Sequence, residues 1–282
     1  MNAIEIIKEL GSTITVIDII VCLLGLTLFV AWLLRTSLGR KALADSVPRR
    51  NNMPFYLPFI PFFLWLVAAP LAILIIKKAL PDLPDWQNAF IDNLVLCIGA
   101  IVTTGVVIFL ARVSFARRLR GFGLDAKTIV RDFFAGAVNL LAVWPLVIAM
   151  IILTTSLGKL IRGQDYHLQQ HQGLELITAH PQLPLRILII VLAVVIAPVL
   201  EEVLFRGLFQ SMLRGVAKNA WTAIILISVL FALLHPWTHW PALFALSMCL
   251  GYSYEKSGSL LRPIFIHSLF NAIMIIATLY SG

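Results

Sequence analysis

The sequence has little of what soluble folds and disulfide scaffolds depend on. Only 13% of its 282 residues are charged, which is about half the usual share of about 25% in soluble domains. The three cysteines, Cys22, Cys97 and Cys249, all lie in apolar runs and form no Cys-x-x-Cys pair. The sequence therefore offers neither a disulfide framework nor a cysteine metal site, and we expect the cysteines to be buried thiols.

The signatures of several common enzyme classes are also absent. The chain contains no serine nucleophile elbow, no His-Glu-x-x-His and no Walker motif. Serine hydrolase, zincin and nucleotide-binding functions therefore lack the residues by which they are recognised. No internal repeat and no low-complexity tract is visible.

The chain is rich in long apolar runs. Hydrophobic residues make up 60% of the sequence, and the mean hydropathy is +0.94. Runs of about 20 apolar residues are long enough to cross the hydrocarbon layer of a bilayer. The sequence thus predicts an all-α, polytopic membrane helix bundle with about eight transmembrane helices. The predicted spans are residues 14–34, 55–76, 91–111, 133–155, 185–209, 220–234, 240–254 and 260–280.

The distribution of Lys and Arg predicts the orientation of these spans. The loops after the first, third, fifth and seventh spans carry 5, 6, 3 and 2 of the 22 basic residues, and all other segments carry 6. Because basic residues mark cytoplasmic loops, we expect both termini on the non-cytoplasmic side. The net charge of +8 is then a topology signal, and no nucleic-acid partner is expected. We expect an integral, multi-pass protein of a bacterial inner membrane.

Two connections between spans are unusual. Residues 158–183 form a polar segment that is too long for a simple turn, and a surface helix or a partial lid would each fit it. The sixth and seventh predicted spans are short, and residues 235–241 between them contain two prolines. This break is expected to dip into the membrane, which irregular backbone does only where it lines a protein cavity.

Charged residues at the end of the fifth span mark the candidate site. Glu202 and Arg206 are four residues apart with the acid first, so they can pair along one helix face. Glu201 lies about 100° round the helix and has no such partner nearby in sequence. Charges within a span are costly, so Glu201 is either a spare acid beside a structural ion pair or a reactive carboxylate. We expect the helix to continue beyond Phe209, because the apolar pattern does.

Three further polar residues fall within the last spans, namely His235, His267 and Asn271. His267 and Asn271 share one helix face. Together with Glu201 they could activate water and stabilise an oxyanion during hydrolysis of a carbonyl compound. Glu201, His235 and His267 also match a catalytic zinc shell, and the residue types do not separate the two.

The ordered motifs Glu201-Glu202-x-x-x-Arg206, Phe231-x-x-x-His235 and His267-x-x-x-Asn271 resemble the Abi/CPBP family of intramembrane proteases. That family includes the type II CAAX prenyl endopeptidases and bacteriocin-processing or self-immunity proteins. The resemblance covers about residues 186–277. It implies that Glu201 and His235 activate water, that His267 and Asn271 stabilise the oxyanion, and that Glu202 and Arg206 support them. A zinc ion bound by Glu201, His235 and His267 stays open as an alternative, and no cofactor is otherwise expected.

The resemblance implies an endopeptidase that acts on a membrane-associated protein or peptide. It divides the chain into residues 1–183, four spans without motifs, and a catalytic region of residues 184–282. A non-catalytic immunity or partner-binding protein is the alternative, and a transporter is a weaker one because no inverted repeat is evident. We expect the reactive side chains to converge within roughly 8 Å. The expected cavity lies at or slightly to the cytoplasmic side of mid-membrane and is walled by spans five, six and eight.

Overall fold

The computed structural model describes residues 16–163, 165–166, 172–217 and 219–281, without the side chains of residues 172 and 281. Within these ranges the regular secondary structure is helical, apart from one isolated antiparallel bridge between Asn51 and Phe115. The prediction of an all-α bundle is confirmed. The helices are α1 (Val16–Arg35), α2 (Phe59–Ala79), α3 (Asp85–Ser114), α4 (Arg118–Phe122), α5 (Ile129–Arg162), α6 (Gln172–Ala179), α7 (Leu183–Ala217), α8 (Ala220–Leu233), α9 (Trp240–Ser257) and α10 (Leu261–Ser281).

Six of the described helices, α1, α2, α3, α5, α7 and α10, are long and apolar enough to cross a membrane. The sixth and seventh predicted spans correspond to α8, with 14 residues, and α9, with 18 residues. Each of the eight predicted spans thus coincides with a helix. The predicted start of the first span at residue 14 lies outside the described residues.

The segment 158–183 is shorter as a connection than the sequence predicts, because α5 continues to Arg162. The expected surface helix is present as α6, while residues 164 and 167–171 lie outside the described residues. Ile177 of α6 is buried against Leu185 and Ile189 of α7. This apolar contact holds α6 across the beginning of α7.

The core forms where α7 crosses the bundle. Phe205 and Phe209 of α7 pack edge to face against Phe62 of α2. The backbone of Gly207 lies so close to the ring of Phe122 that a Cβ at this position would overlap it. Aromatic side chains from both halves of the chain therefore fix α7, the helix that carries the two glutamates.

The first half of the chain also packs against the last two helices. Gly136 of α5 faces the backbone of Arg262 in α10, and the Asn139 amide donates to the hydroxyl of Ser253 in α9 at 2.8 Å. Leu140, Val143 and other buried residues of α5 form one apolar cluster with residues of α9 and α10. The motif-bearing helices are therefore part of one bundle with the helices that carry no motif.

Candidate active site

Helix α7 departs from α-helical geometry just before the glutamates. Residues Leu192–Ile196 are π-helical, and the N–H of Ala197 donates to the carbonyl five residues back, at Leu192. In this register the Ala193 carbonyl would need a donor at residue 198, which is Pro198 and has no N–H. The side-chain amide of Asn271 donates to that carbonyl at 2.8 Å instead. The π-helical turn and the proline therefore create an acceptor that ties α10 to α7.

The predicted pair between Glu202 and Arg206 is present and fully buried. Arg206 Nη1 donates to Glu202 Oε1 at 2.9 Å, and both side chains are 0% exposed. Arg206 Nη2 also donates to the hydroxyl of Ser247 on α9 at 2.6 Å. Its guanidinium lies over the ring of Phe231, 4.7 Å from the centroid. Each charge is compensated by the other, as burial in a bundle requires.

The same carboxylate orients His267. Nδ1 of His267 lies 2.9 Å from Glu202 Oε1, and an ionised carboxylate can only accept a hydrogen bond. The proton on this bond therefore belongs to Nδ1. Nε2 of His267 then faces Glu201 Oε2 at 3.8 Å. Glu202 thus fixes the ring so that its second nitrogen points at the neighbouring glutamate.

Glu201 lies at the inner end of a cavity. Its side chain is 14% exposed, and its Oε2 atom is buried with no hydrogen-bond partner among the described residues. The cavity has a volume of about 1010 Å³ and is lined by residues of α2, α3, α6 and α7. Of the predicted catalytic residues that the structure describes, Glu201 is the only one that lines it. Because Oε2 is buried against His267 while the side chain as a whole is partly exposed and lines the cavity, the rest of the carboxylate is placed to meet a water molecule there.

The position of this cavity corrects the sequence prediction. The sequence predicts walls from spans five, six and eight, which are α7, α8 and α10. The cavity is instead lined by α7 together with α2, α3 and α6, because α3 packs directly along α7. At its inner end the cavity reaches Ala100, half-way along α3. Its outer end is lined by Lys77, Pro81, Asp85 and His180. These residues belong to the face of the bundle with fewer basic residues, so the cavity opens away from the basic loops.

The structure separates the predicted site residues into two groups. Glu201, Glu202, Arg206 and His267 form one connected cluster. His235 lies outside this cluster. Its Nδ1 atom is 2.8 Å from the Phe231 carbonyl, and its ring packs on Phe231 at 4.8 Å.

The ring of Phe231 also contacts His267, at 5.8 Å between centroids. The two imidazoles therefore touch one phenyl ring, and no contact joins His235 to Glu201 among the described residues. The expected convergence is present for Glu201 with His267, whereas His235 is held at the carbonyl end of α8.

A zinc ion does not fit this arrangement. Within the described ranges no three His, Cys, Asp or Glu side chains lie where they could hold one metal ion. Glu201, His235 and His267 therefore form no shared ligand shell, and the proposed reaction has no metal-dependent step.

Two contributions to the site were missed from the sequence. Ser247 is buried in an apolar helix, and nothing in the sequence distinguishes it as the partner of Arg206. Asp92 and Asn93 of α3 line the cavity, and adjacent polar residues inside an apolar run could have indicated this.

These features define a polytopic membrane protein with a buried glutamate and histidine cluster beneath a cavity. Residues 183–273 match the family described as type II CAAX prenyl endopeptidase Rce1-like. The match includes every motif residue from Glu201 to Asn271 and confirms the family resemblance of this region. Neither a curated protein nor a solved structure matches the chain.

Proposed function

We propose that this protein is an intramembrane endopeptidase that hydrolyses a peptide bond in a membrane-associated protein or peptide. The observation that carries the proposal is the contact of Glu201 Oε2 with His267 Nε2 at 3.8 Å, at the inner end of a cavity. The family match at residues 183–273 supports the reaction class.

The first step of the proposed reaction is deprotonation of a water molecule by Glu201. The water oxygen attacks the peptide carbonyl carbon, and its proton goes to the Glu201 carboxylate. With Nδ1 of His267 protonated, the Nε2 lone pair faces Glu201 Oε2. The proton taken from the water molecule is then held between these two atoms, where it removes the repulsion between the lone pair and the carboxylate. The same proton is then transferred to the leaving amine nitrogen as the C–N bond breaks. Positioned acid–base groups of this kind contribute about 10²–10⁴-fold to a rate.

The other predicted residues have supporting places in this mechanism. Asn271 uses one amide N–H for the Ala193 carbonyl, and its second N–H is assigned to the developing oxyanion. Nδ1 of His235 donates to Phe231, which leaves Nε2 as an acceptor. We assign His235 to accept a hydrogen bond from the attacking water or from the substrate. The Glu202 and Arg206 pair holds His267 in the required tautomer. Because the one N–H of His267 is then directed at Glu202, we assign the oxyanion role, which the family resemblance implies for both residues, to Asn271 alone.

The cavity indicates how a substrate reaches Glu201. Most of its wall is apolar, with Trp65 and Leu96 among the lining residues, while Asn88 and Asn93 supply hydrogen-bonding groups. An extended segment with apolar side chains fits such a wall. Gly173, Leu176 and His180 at the α6 end border the opening, and we assign α6 as a partial lid. Substrates would therefore enter from the face with fewer basic residues.

The proposal is tested with purified protein and a set of quenched fluorescent hydrophobic peptides. Glu201→Gln keeps the shape of the side chain but removes the base, so we expect cleavage to fall by at least about 10²-fold. Asp45→Asn is the control, since Asp45 is exposed, lies far from α6 in sequence and does not line the cavity. Full activity of Glu201→Gln would overturn the assignment, and a wild-type protein that cleaves no peptide would favour a non-catalytic binding role.

A further inference from the structure

We propose that a second cavity, on the basic face of the bundle, binds the phosphate-bearing headgroup of an anionic membrane lipid. This cavity has a volume of about 610 Å³ and is lined by residues 50–52, 112–116 and 118. Three of its lining residues are arginines, Arg50, Arg112 and Arg118. It lies on the face opposite to the opening above Glu201 and is independent of the proposed peptidase function.

The backbone around this cavity is fixed by hydrogen bonds. The N–H of Asn52 donates to the Ser114 carbonyl at 2.9 Å, and the N–H of Ala116 donates to the Arg50 carbonyl at 3.1 Å. These bonds form the bridge that joins the loop after α1 to the end of α3. Phe115 is buried between them and packs on the ring of Phe122 at 5.1 Å. The Cα positions of the arginines are therefore set before any ligand binds, which lowers the entropic cost of binding.

The three arginines carry a positive charge that the protein does not neutralise. Within the described ranges no carboxylate forms an ion pair with Arg50, Arg112 or Arg118. Other basic residues on the same face do have acidic partners, as Arg120 has Asp125 at 3.5 Å and Arg262 has Asp132 at 2.9 Å. Like charges around one concave space repel each other, and a bound phosphate would turn that repulsion into charge-assisted hydrogen bonds.

The ligand class follows from the guanidinium groups and from the position of the cavity. The guanidinium group of arginine presents paired N–H donors that match the oxygens of a phosphate group, whereas three positive charges would repel a cationic ligand. The end of α3 carries a partial negative charge of about half a unit, which three guanidinium charges outweigh.

Next to Arg112, Val113 is 64% exposed on a membrane-spanning helix, so an acyl chain can lie along α3 beneath the cavity. Basic pockets at this level on the positively charged side of a membrane protein suit anionic lipid headgroups. The same chemistry would accept free phosphate, but the exposed apolar surface below the arginines favours the lipid.

The test measures lipid retention by native mass spectrometry on purified protein exchanged into phosphatidylglycerol or phosphatidylcholine with the same acyl chains. The variant carries Arg50→Gln, Arg112→Gln and Arg118→Gln. The matched control carries Arg40→Gln, Arg117→Gln and Lys127→Gln, which removes the same charge from exposed residues of the same face that do not line the cavity.

Wild type and control should retain phosphatidylglycerol in preference to phosphatidylcholine, and the cavity variant should bind it about tenfold more weakly or worse. Thermal unfolding should be alike in all three proteins, because the substituted side chains are exposed. Equal loss in the control would show general surface attraction and overturn the site. Equal retention of phosphatidylglycerol and phosphatidylcholine by the wild type would show no preference for an anionic headgroup and would overturn the lipid assignment.

Discussion

The buried pair between Glu202 and Arg206 allows a quantitative test of the cluster. Glu202→Gln leaves the guanidinium of Arg206 in a site where it is 0% exposed, with Ser247 as its remaining side-chain partner. Arg206→Met leaves the Glu202 carboxylate equally buried beside His267. Removing one partner of a buried pair costs about 3–5 kcal/mol, whereas replacing both is often close to neutral.

We therefore expect each single variant to lose about 3–5 kcal/mol of unfolding free energy and the double variant to lose much less than the sum. Reversible unfolding in mixed detergent micelles measures these free energies. Lys77→Gln is the control. Lys77 forms a 2.8 Å ion pair with Asp92, and the two side chains are 47% and 26% exposed, respectively. Ion pairs this exposed contribute at most about 1 kcal/mol to stability. If Glu202→Gln costs no more than Lys77→Gln, or if the single losses simply add, the pair does not act as described.

Two further predictions concern packing and orientation. Gly207→Ala should destabilise the protein by about 1–3 kcal/mol because its Cβ overlaps the buried ring of Phe122, whereas Gly105→Ala, with nothing within 4 Å, should be neutral or stabilising in the same unfolding assay. In a cysteine-free background, Asp85→Cys at the cavity mouth should react with a membrane-impermeant maleimide in intact spheroplasts, and Arg120→Cys should react only after permeabilisation; the reverse pattern would contradict the proposed orientation.

The helices could be predicted from the sequence because apolar runs directly report residues that avoid water. The eight spans, the continuation of α7 beyond Phe209 and the pairing of Glu202 with Arg206 all depend on one helix at a time. The boundaries moved where a local signal was weak. For example, α5 continues to Arg162 although its last residues are basic, since cations near a helix C-terminus are favourable.

The walls of the cavity and the grouping of the site residues could not be predicted in this way. They depend on which helices pack together, and α3 carries no motif that links it to Glu201. The π-helical turn at Leu192–Ile196 is likewise set by Pro198 and Asn271 together, which are far apart in sequence. His235 was expected beside Glu201 from its motif, but its Nδ1 atom is directed at the carbonyl of Phe231.

The central claim is that Glu201 activates water and is not itself a covalent nucleophile. The most direct measurement is a single turnover in ¹⁸O-labelled water, with reconstituted protein in excess over a cleavable peptide, followed by mass spectrometry of both products and enzyme. A general-base mechanism predicts one ¹⁸O atom in the new carboxyl terminus, none in the enzyme fragment that contains Glu201, and no peptide hydroxamate when the turnover is repeated with hydroxylamine. A covalent acyl intermediate would either carry ¹⁸O into Glu201 or be trapped by hydroxylamine as a peptide hydroxamate, and either of those results, or the absence of any cleavage, would contradict the claim.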